Sequence, residues 1–163
     1  MSVQQINWQQ GGFSFAPHMV KFKTPGDGSC LIHALLMAYD QTYRLQHRNG
    51  RIVPRGYLVK QVRSDIANLL STPVNPLDHT SPIYYDVIGR GQLRRLANEF
   101  NESYTLAGMQ KTLRSGDTLS YVFFEIIADA INKDLYVLDL IKQDVYITGD
   151  ESLYQKGRDA IVI

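Results

Sequence analysis

Residues Pro25–Tyr39 read PGDGSCLIHALLMAY. A turn of proline, two glycines and an aspartate runs directly into an apolar segment, and the chain's only cysteine, Cys30, stands at the junction. Leu31, Ala34, Leu35 and Ala38 recur at the spacing that lays one stripe along a helix, so the stretch predicts a helix with Ser29 or Cys30 in its first turn. A thiol placed there meets backbone N–H groups that have no partner inside the helix and the positive end of the helix dipole, both of which favour thiolate over thiol. Gly26 and Gly28 let the preceding backbone point several N–H groups into one small concavity, a nest able to hold an oxyanion. The same turn also suits phosphate binding, and a lone cysteine at a helix start is often only small and buried. On these residues alone a nucleophile, a redox-sensitive thiol and a structural thiol all remain open.

The rest of the chain narrows the class. Its 163 residues and 18.5 kDa suit one domain able to bury a core without staples. Seventeen Lys and Arg face sixteen Asp and Glu, a formal charge of +1. No basic block or acidic tail stands out, which argues against a general nucleic-acid binder. The N-terminus lacks the basic start and apolar core of a secretory signal, and no apolar run is long enough to cross a bilayer. The expectation is a soluble, intracellular protein. A single cysteine cannot form an internal disulfide, and neither a second cysteine nor a close histidine pair suggests zinc.

Outward from the central stretch, His18–Lys23 alternates as a short strand. Leu58, Val62, Ile66, Leu69 and Leu70 predict a helix over Gly56–Leu70, with Lys60, Arg63 and Asp65 off its apolar face, ended by Ser71–Pro76. Asn75–Gly91 reads as an irregular surface segment before a third helix built on Leu93, Leu96, Ala97 and Phe100, and a short helix is expected over Leu106–Leu113. Behind the turn Arg114–Thr118, the residues Leu119, Val122, Phe123, Ile126, Ile127 and Ala130 repeat with helical spacing and predict a central helix. Strands follow: Leu135–Ile141 as a buried strand, Asp144–Gly149 as its hairpin partner and Asp159–Ile163 at the end. Helices first and strands last predict an α+β domain. A chain stopping on an apolar strand reads as cut rather than finished.

Two of these segments carry a resemblance. Gly26-Asp27-Gly28-Ser29-Cys30-Leu31-Ile32-His33-Ala34 resembles the nucleophile motif of the ovarian-tumour (OTU) family of papain-like cysteine proteases, which typically reads Asp-Gly-Asn-Cys-Leu-Phe-Arg-Ala. Arg114–Asp139 is similar to that family's Gly-Thr-Trp-Gly-Asp loop with the helix and strand behind it, although Thr118–Tyr121 lacks the tryptophan. The likeness spans Lys21–Ile163; residues 1–20 stand as an unaligned N-terminal extension of a single domain.

The resemblance implies a papain-like OTU fold, a small mixed β-sheet packed between helices, and a thiol-dependent deubiquitinase acting on ubiquitin, polyubiquitin or a ubiquitin-like modifier. It implies no metal or organic cofactor and a cytoplasmic location, the host cytoplasm if the protein is viral; with the charge and hydropathy above, no nucleic-acid or membrane partner is expected. Position by position, Cys30 becomes the nucleophile and Asp27 the aspartate that shapes the oxyanion loop. Backbone amides around Gly28, Ser29 and Cys30 would donate to the oxyanion, and Ser115, Gly116, Asp117 and Thr118 would border the channel for ubiquitin's Gly-Gly end. Asp78, Asp86, Asp117 and Glu125 are the carboxylates expected near the arginines of ubiquitin's tail. The family's general base is a histidine shortly after the last strand, so it is expected beyond Ile163. His18, His33, His47 and His79 all precede that place, and His33 is expected to be structural or groove-lining. The alternatives are a non-catalytic ubiquitin-binding module without a base, and a redox-sensing or phosphate-binding domain using the same glycine turn.

Overall fold

A computed structural model of the chain describes residues 3–5, 20–87, 94, 97, 104–120, 122–139, 141–148 and 158–163. Its strands are β1 (Val3–Gln5), β2 (Val20–Phe22), β3 (His47–Arg48), β4 (Arg51–Ile52), β5 (Asp134–Asp139), β6 (Asp144–Ile147) and β7 (Ala160–Val162). Its helices are α1 (Cys30–Tyr39), α2 (Gln41–Leu45), α3 (Arg55–Leu70), α4 (Tyr84–Val87), α5 (Leu106–Ser115) and α6 (Val122–Ile131). The α+β class expected from the sequence is therefore present.

Two helices of the core end for local reasons. Asp40 closes α1 through its N–H to the Leu36 carbonyl, and its side chain then accepts the Tyr43 N–H at 2.6 Å to start α2. Thr105 caps α5 by accepting the Gly108 N–H at 3.1 Å, and Gly116 ends that helix in the left-handed region at φ 84°. That residue turns the chain sharply into the loop 117–120.

The helices share one apolar core. From α1 it takes Leu31, Ile32, Leu35 and Leu36, from α3 Val59, Ile66, Ala67 and Leu70, from α5 Met109 and Leu113, and from α6 Phe123, Ile126 and Ile127. The α1 stripe thus differs from the expected one. Ile32 and Leu36 are buried, whereas Ala34 is half-buried and Ala38 exposed, because the larger side chains take the core-facing positions. Leu119 lies just before α6, yet it is buried.

The terminal sheet has the order β6-β5-β7. β5 and β6 form the expected antiparallel hairpin, while β7 pairs with β5 in parallel, Leu135 opposite Ile161. β5 stops at Asp139, two residues short of the expected Ile141. The Asp139 carboxylate accepts the N–H groups of Ile141 and Lys142, both at 3.0 Å, and so forms the turn that leaves Ile141 95% exposed. The inner end of the hairpin is held by Thr148, fully buried, whose hydroxyl oxygen accepts the Leu135 N–H at 2.9 Å. Arg158 ties the start of β7 to β5 and α6 through Asp134 and Asp129. β7 lies against α1 and β5 against α6, so the sheet touches the helix that carries Cys30.

Three short elements have no counterpart in the sequence reading: β1, α2 and the β3–β4 hairpin. The hairpin turns on Asn49 and Gly50, both at positive φ, the pairing that a two-residue hairpin loop requires. α4 also interrupts the segment read as irregular. The third expected helix lies outside the described residues apart from Arg94 and Ala97, which are helical. Among the described residues no helix is long and apolar enough to cross a membrane.

Ile127, fully buried between α6 and its neighbours, and Ile141, almost fully exposed, provide a paired test of this core. Ile127→Ala is expected to lower unfolding stability by about 2–4 kcal/mol in urea denaturation, and Ile141→Ala by less than about 0.5 kcal/mol.

Candidate functional site

The two segments paired by the sequence resemblance meet in space. Gly28 adopts φ +78°, and a Cβ added to it would fall 2.6 Å from the Gly116 carbonyl oxygen, 3.1 Å from the Thr118 nitrogen and 3.2 Å from the Asp117 carbonyl carbon. The loop before α1 and the loop after α5 therefore touch backbone to backbone. Glycine is required at position 28 both for its conformation and for the absence of a side chain. Gly116, at φ +84°, meets only the conformational requirement, since nothing lies within 4 Å of its added Cβ.

One side chain holds the two loops together. Arg63 of α3 is 2% exposed, and all five of its N–H donors have acceptors. Its Nε donates to the Leu113 carbonyl at 2.7 Å. Its Nη1 donates to the Ser29 hydroxyl at 2.9 Å and toward the Gly28 carbonyl at 3.4 Å. Its Nη2 donates to the Thr112 and Asp117 carbonyls, both at 2.7 Å. The Thr112 and Leu113 carbonyls belong to the last turn of α5, where acceptors lack helical partners and the dipole is negative, so a cation is favoured there. Burial lowers the proton affinity of the guanidinium, opposed by the charges of Asp117 and Asp27, and an arginine remains charged under such shifts.

The sequence reading placed Arg63 off the apolar face; the structure places it inside. Its position between Val59 and Ile66, four residues after one and three before the other, is in phase with the buried stripe Val59, Ile66 and Leu70. A charged residue in register with a buried stripe was the available signal.

A second network sets the turn itself. Asp27 accepts the Ser29 N–H at 3.0 Å through one carboxylate oxygen and is bonded to His33 Nε2 at 3.0 Å through the other. The His33 ring is 3% exposed, and its Nδ1 faces the Tyr43 hydroxyl. Both ring nitrogens of His33 are thus engaged, one by the Asp27 carboxylate and the other by the Tyr43 hydroxyl. Tyr43 is held in turn by Arg55, which lies 5.0 Å from its ring centroid and donates to its carbonyl at 3.0 Å. His33 is thus a positioning residue for the Asp27 turn, and neither of its ring nitrogens is directed to Cys30.

Cys30 is the first residue of α1 and is exposed. Among the backbone donors around it, the Ser29 N–H is already given to Asp27, so Ser29 serves the site through its hydroxyl and Arg63 rather than through its amide. Among the described residues, the N–H groups of Gly28 and Cys30 donate no hydrogen bond.

Of the four residues expected to border a substrate channel, Ser115, Asp117 and Thr118 are exposed and Gly116 half-buried. Their loop is stiffened internally, the Ser115 hydroxyl donating to the Asp117 carboxylate at 2.5 Å. Among the described residues, the other carboxylates weighed beside Asp117 have partners elsewhere. Asp86 pairs with Arg94 at 2.6 Å, Glu125 meets the Tyr146 hydroxyl at 3.4 Å, and Asp78 accepts from Thr80 in its own turn. His47 and His79 are exposed on β3 and on the loop before α4, and His18 lies outside the described residues. No metal-ligating cluster of His, Cys, Asp or Glu occurs among the described residues.

Compared with protein-family models, curated proteins and solved structures, the chain has no match in any of the three, so the roles assigned above are tested on the residues themselves. Gly28→Ala forces a left-handed alanine against the Gly116 carbonyl, and Arg63→Met strips partners from four carbonyls and a hydroxyl. Each is expected to lower stability by about 2–4 kcal/mol in denaturant titration, with Gly26→Ala, whose Cβ meets nothing within 4 Å, within about 1 kcal/mol of the parent. Asp27 is held below the ordinary aspartate range, first by its hydrogen bond to His33 and despite its partial desolvation. A depressed folded value means that Asp27 stabilises the fold above the unfolded value and that this contribution is lost as pH falls, below about pH 4. Carboxyl-carbon NMR titration should therefore show Asp27 protonating at higher pH in His33→Phe than in the parent.

Proposed function

We propose that the chain is a thiol-dependent deubiquitinase domain of the OTU type, with Cys30 as nucleophile. The observation that carries the reading is the juxtaposition at Gly28. An exposed thiol at a helix N-terminus stands beside a turn that is packed onto the Gly116–Thr118 loop. Those are the two segments on which the sequence resemblance rests, and they are 88 residues apart between Gly28 and Gly116.

In this reading the C-terminal glycine of ubiquitin lies between the two loops. The Cys30 sulfur attacks its carbonyl carbon, a C–S bond forms, and the carbonyl oxygen becomes an oxyanion facing the Gly28 and Cys30 N–H groups. Collapse breaks the C–N bond, the lysine amine leaves with a proton, and water then cleaves the thioester to release ubiquitin. Asp27 orients the turn, and Ser115, Gly116, Asp117 and Thr118 border the tail, Asp117 supplying a carboxylate for its arginines. A ubiquitin-like modifier ending in the same pair of glycines fits the same chemistry.

Proton removal from Cys30 decides how fast this can run. Among the described residues no histidine is bonded to Cys30, and His33 spends both ring nitrogens on Asp27 and Tyr43. This observation favours a second reading, in which the domain captures ubiquitin without cleaving it. The two share one binding surface and differ only in turnover.

Ubiquitin bearing a C-terminal alkyne separates the outcomes, because a single addition to the thiol is enough for a mass adduct. Residues 1–163 should give one adduct, located on Cys30 and absent from Cys30→Ala, while cleaving ubiquitin chains slowly or not at all. Binding of ubiquitin without an adduct selects the capture module. Neither binding nor adduct removes both readings and leaves the glycine turn to redox or phosphate chemistry. Rapid turnover by this span requires a base within it, and His33→Gln is the first variant to assay.

A further inference from the structure

The near-neutral total hides a segregated charge. Between Asp40 and Asp65 there is no carboxylate, while Arg44, Arg48, Arg51, Arg55, Lys60 and Arg63 all fall there. The remaining chain accordingly carries eleven Lys and Arg against sixteen Asp and Glu. Five of the six cations, all but the buried Arg63, lie on α2, the β3–β4 hairpin and the first turns of α3, and none of the five pairs with a carboxylate among the described residues.

The hairpin projects from the surface and is tied at its base and its tip. Every residue from Arg44 to Ile52 is exposed. Its base is fixed where the Val53 N–H reaches the Gln46 carbonyl at 2.9 Å and where Arg55 bonds the Tyr43 and Arg44 carbonyls. Its tip is fixed by the left-handed pair Asn49 and Gly50. Arg48 stands directly opposite Arg51, and His47 opposite Ile52. Like charges directly opposite each other destabilise a strand pair, and a two-stranded hairpin has little stability to spare. Short charged strands do guard against edge-to-edge aggregation, but alternating signs would serve that purpose without the repulsion.

Apolar side chains accompany the cations. Leu45 is 63% exposed, Ile52 78% and Tyr57 60%. Exposed aliphatic and aromatic groups among arginines match the composition of protein interfaces. A phosphate backbone offers nothing apolar to cover them.

We propose that the β3–β4 hairpin, with Leu45 and Tyr57 beside it, is a docking surface for an acidic protein segment that carries aliphatic residues. The arginines hold its carboxylates, and Ile52 and Leu45 cover its apolar side chains. The surface is independent of the chemistry assigned to Cys30.

Fluorescence polarisation on residues 1–163 tests it with three labelled probes: a twelve-residue peptide alternating Glu and Leu, one alternating Glu and Ser, and a 20-base-pair DNA duplex. The Glu–Leu peptide is expected to bind tightest and to weaken at least fivefold between 50 and 300 mM salt. Arg48→Glu should weaken it at least tenfold while leaving Tm unchanged or raised, because a carboxylate placed opposite Arg51 replaces repulsion with attraction. Ile52→Ser should abolish its advantage over the Glu–Ser peptide. Duplex binding tighter than either peptide and indifferent to Ile52→Ser overturns the proposal in favour of nucleic acid. Failure of all three probes to bind, or a fall in Tm in Arg48→Glu, overturns it as well.

Discussion

The arrangement around Cys30 depends on one buried cation. Arg63 reaches from the middle of α3 to the turn before α1 and to the end of α5, giving its five donors to that turn, to the last turn of α5 and to the loop behind it. A buried guanidinium is tolerated only when its hydrogen-bonding capacity is filled, so the same requirement that keeps Arg63 inside also sets the distance between the loops. At that separation Gly28 and Gly116 come into backbone contact, and only a residue without a Cβ fits position 28. A helical scaffold of buried aliphatic residues thus places an exposed thiol beside a second loop without any direct bond to the cysteine.

The Asp27–His33–Tyr43 chain complements this clamp from the other side of the turn. Arg63 fixes how far the turn lies from α5; Asp27 fixes the path of its backbone by taking the Ser29 N–H, and His33 fixes Asp27. This division explains why a histidine three residues after the cysteine is buried rather than presented to the thiol. On a helix, that spacing stacks side chains along the axis, and the ring is already committed to two partners.

Much of this was legible in the residues, and the failures have physical causes. The helix at Cys30, the stripe of α6 and the closing strands follow from apolar periodicity that tertiary packing merely amplifies. The contact between the Gly28 and Gly116 turns was reachable only through the family likeness, because nothing local in either segment encodes an approach over that sequence separation. Arg63 was misread because an arginine is ordinarily assigned to the solvated face; its phase with Val59, Ile66 and Leu70 pointed the other way. The β3–β4 hairpin escaped because two-residue strands have no periodicity to detect, although Asn49-Gly50 is a strong turn signal. The basic segment escaped because a total charge near zero does not report how charge is distributed.

In the proposed function, the fork of Arg63 holds the two loops in register for a ubiquitin tail at Cys30. Arg63→Lys keeps the charge and removes the fork, so the most direct measurement is the ratio of two rates of Cys30 modification in parent and variant, by ubiquitin with a C-terminal alkyne and by iodoacetamide. The account predicts that the ubiquitin rate falls at least tenfold while the iodoacetamide rate stays within about twofold, a loss of at least about 1.4 kcal/mol in tail positioning alone. An unchanged ratio, or no ubiquitin adduct on Cys30 in the parent, would contradict it.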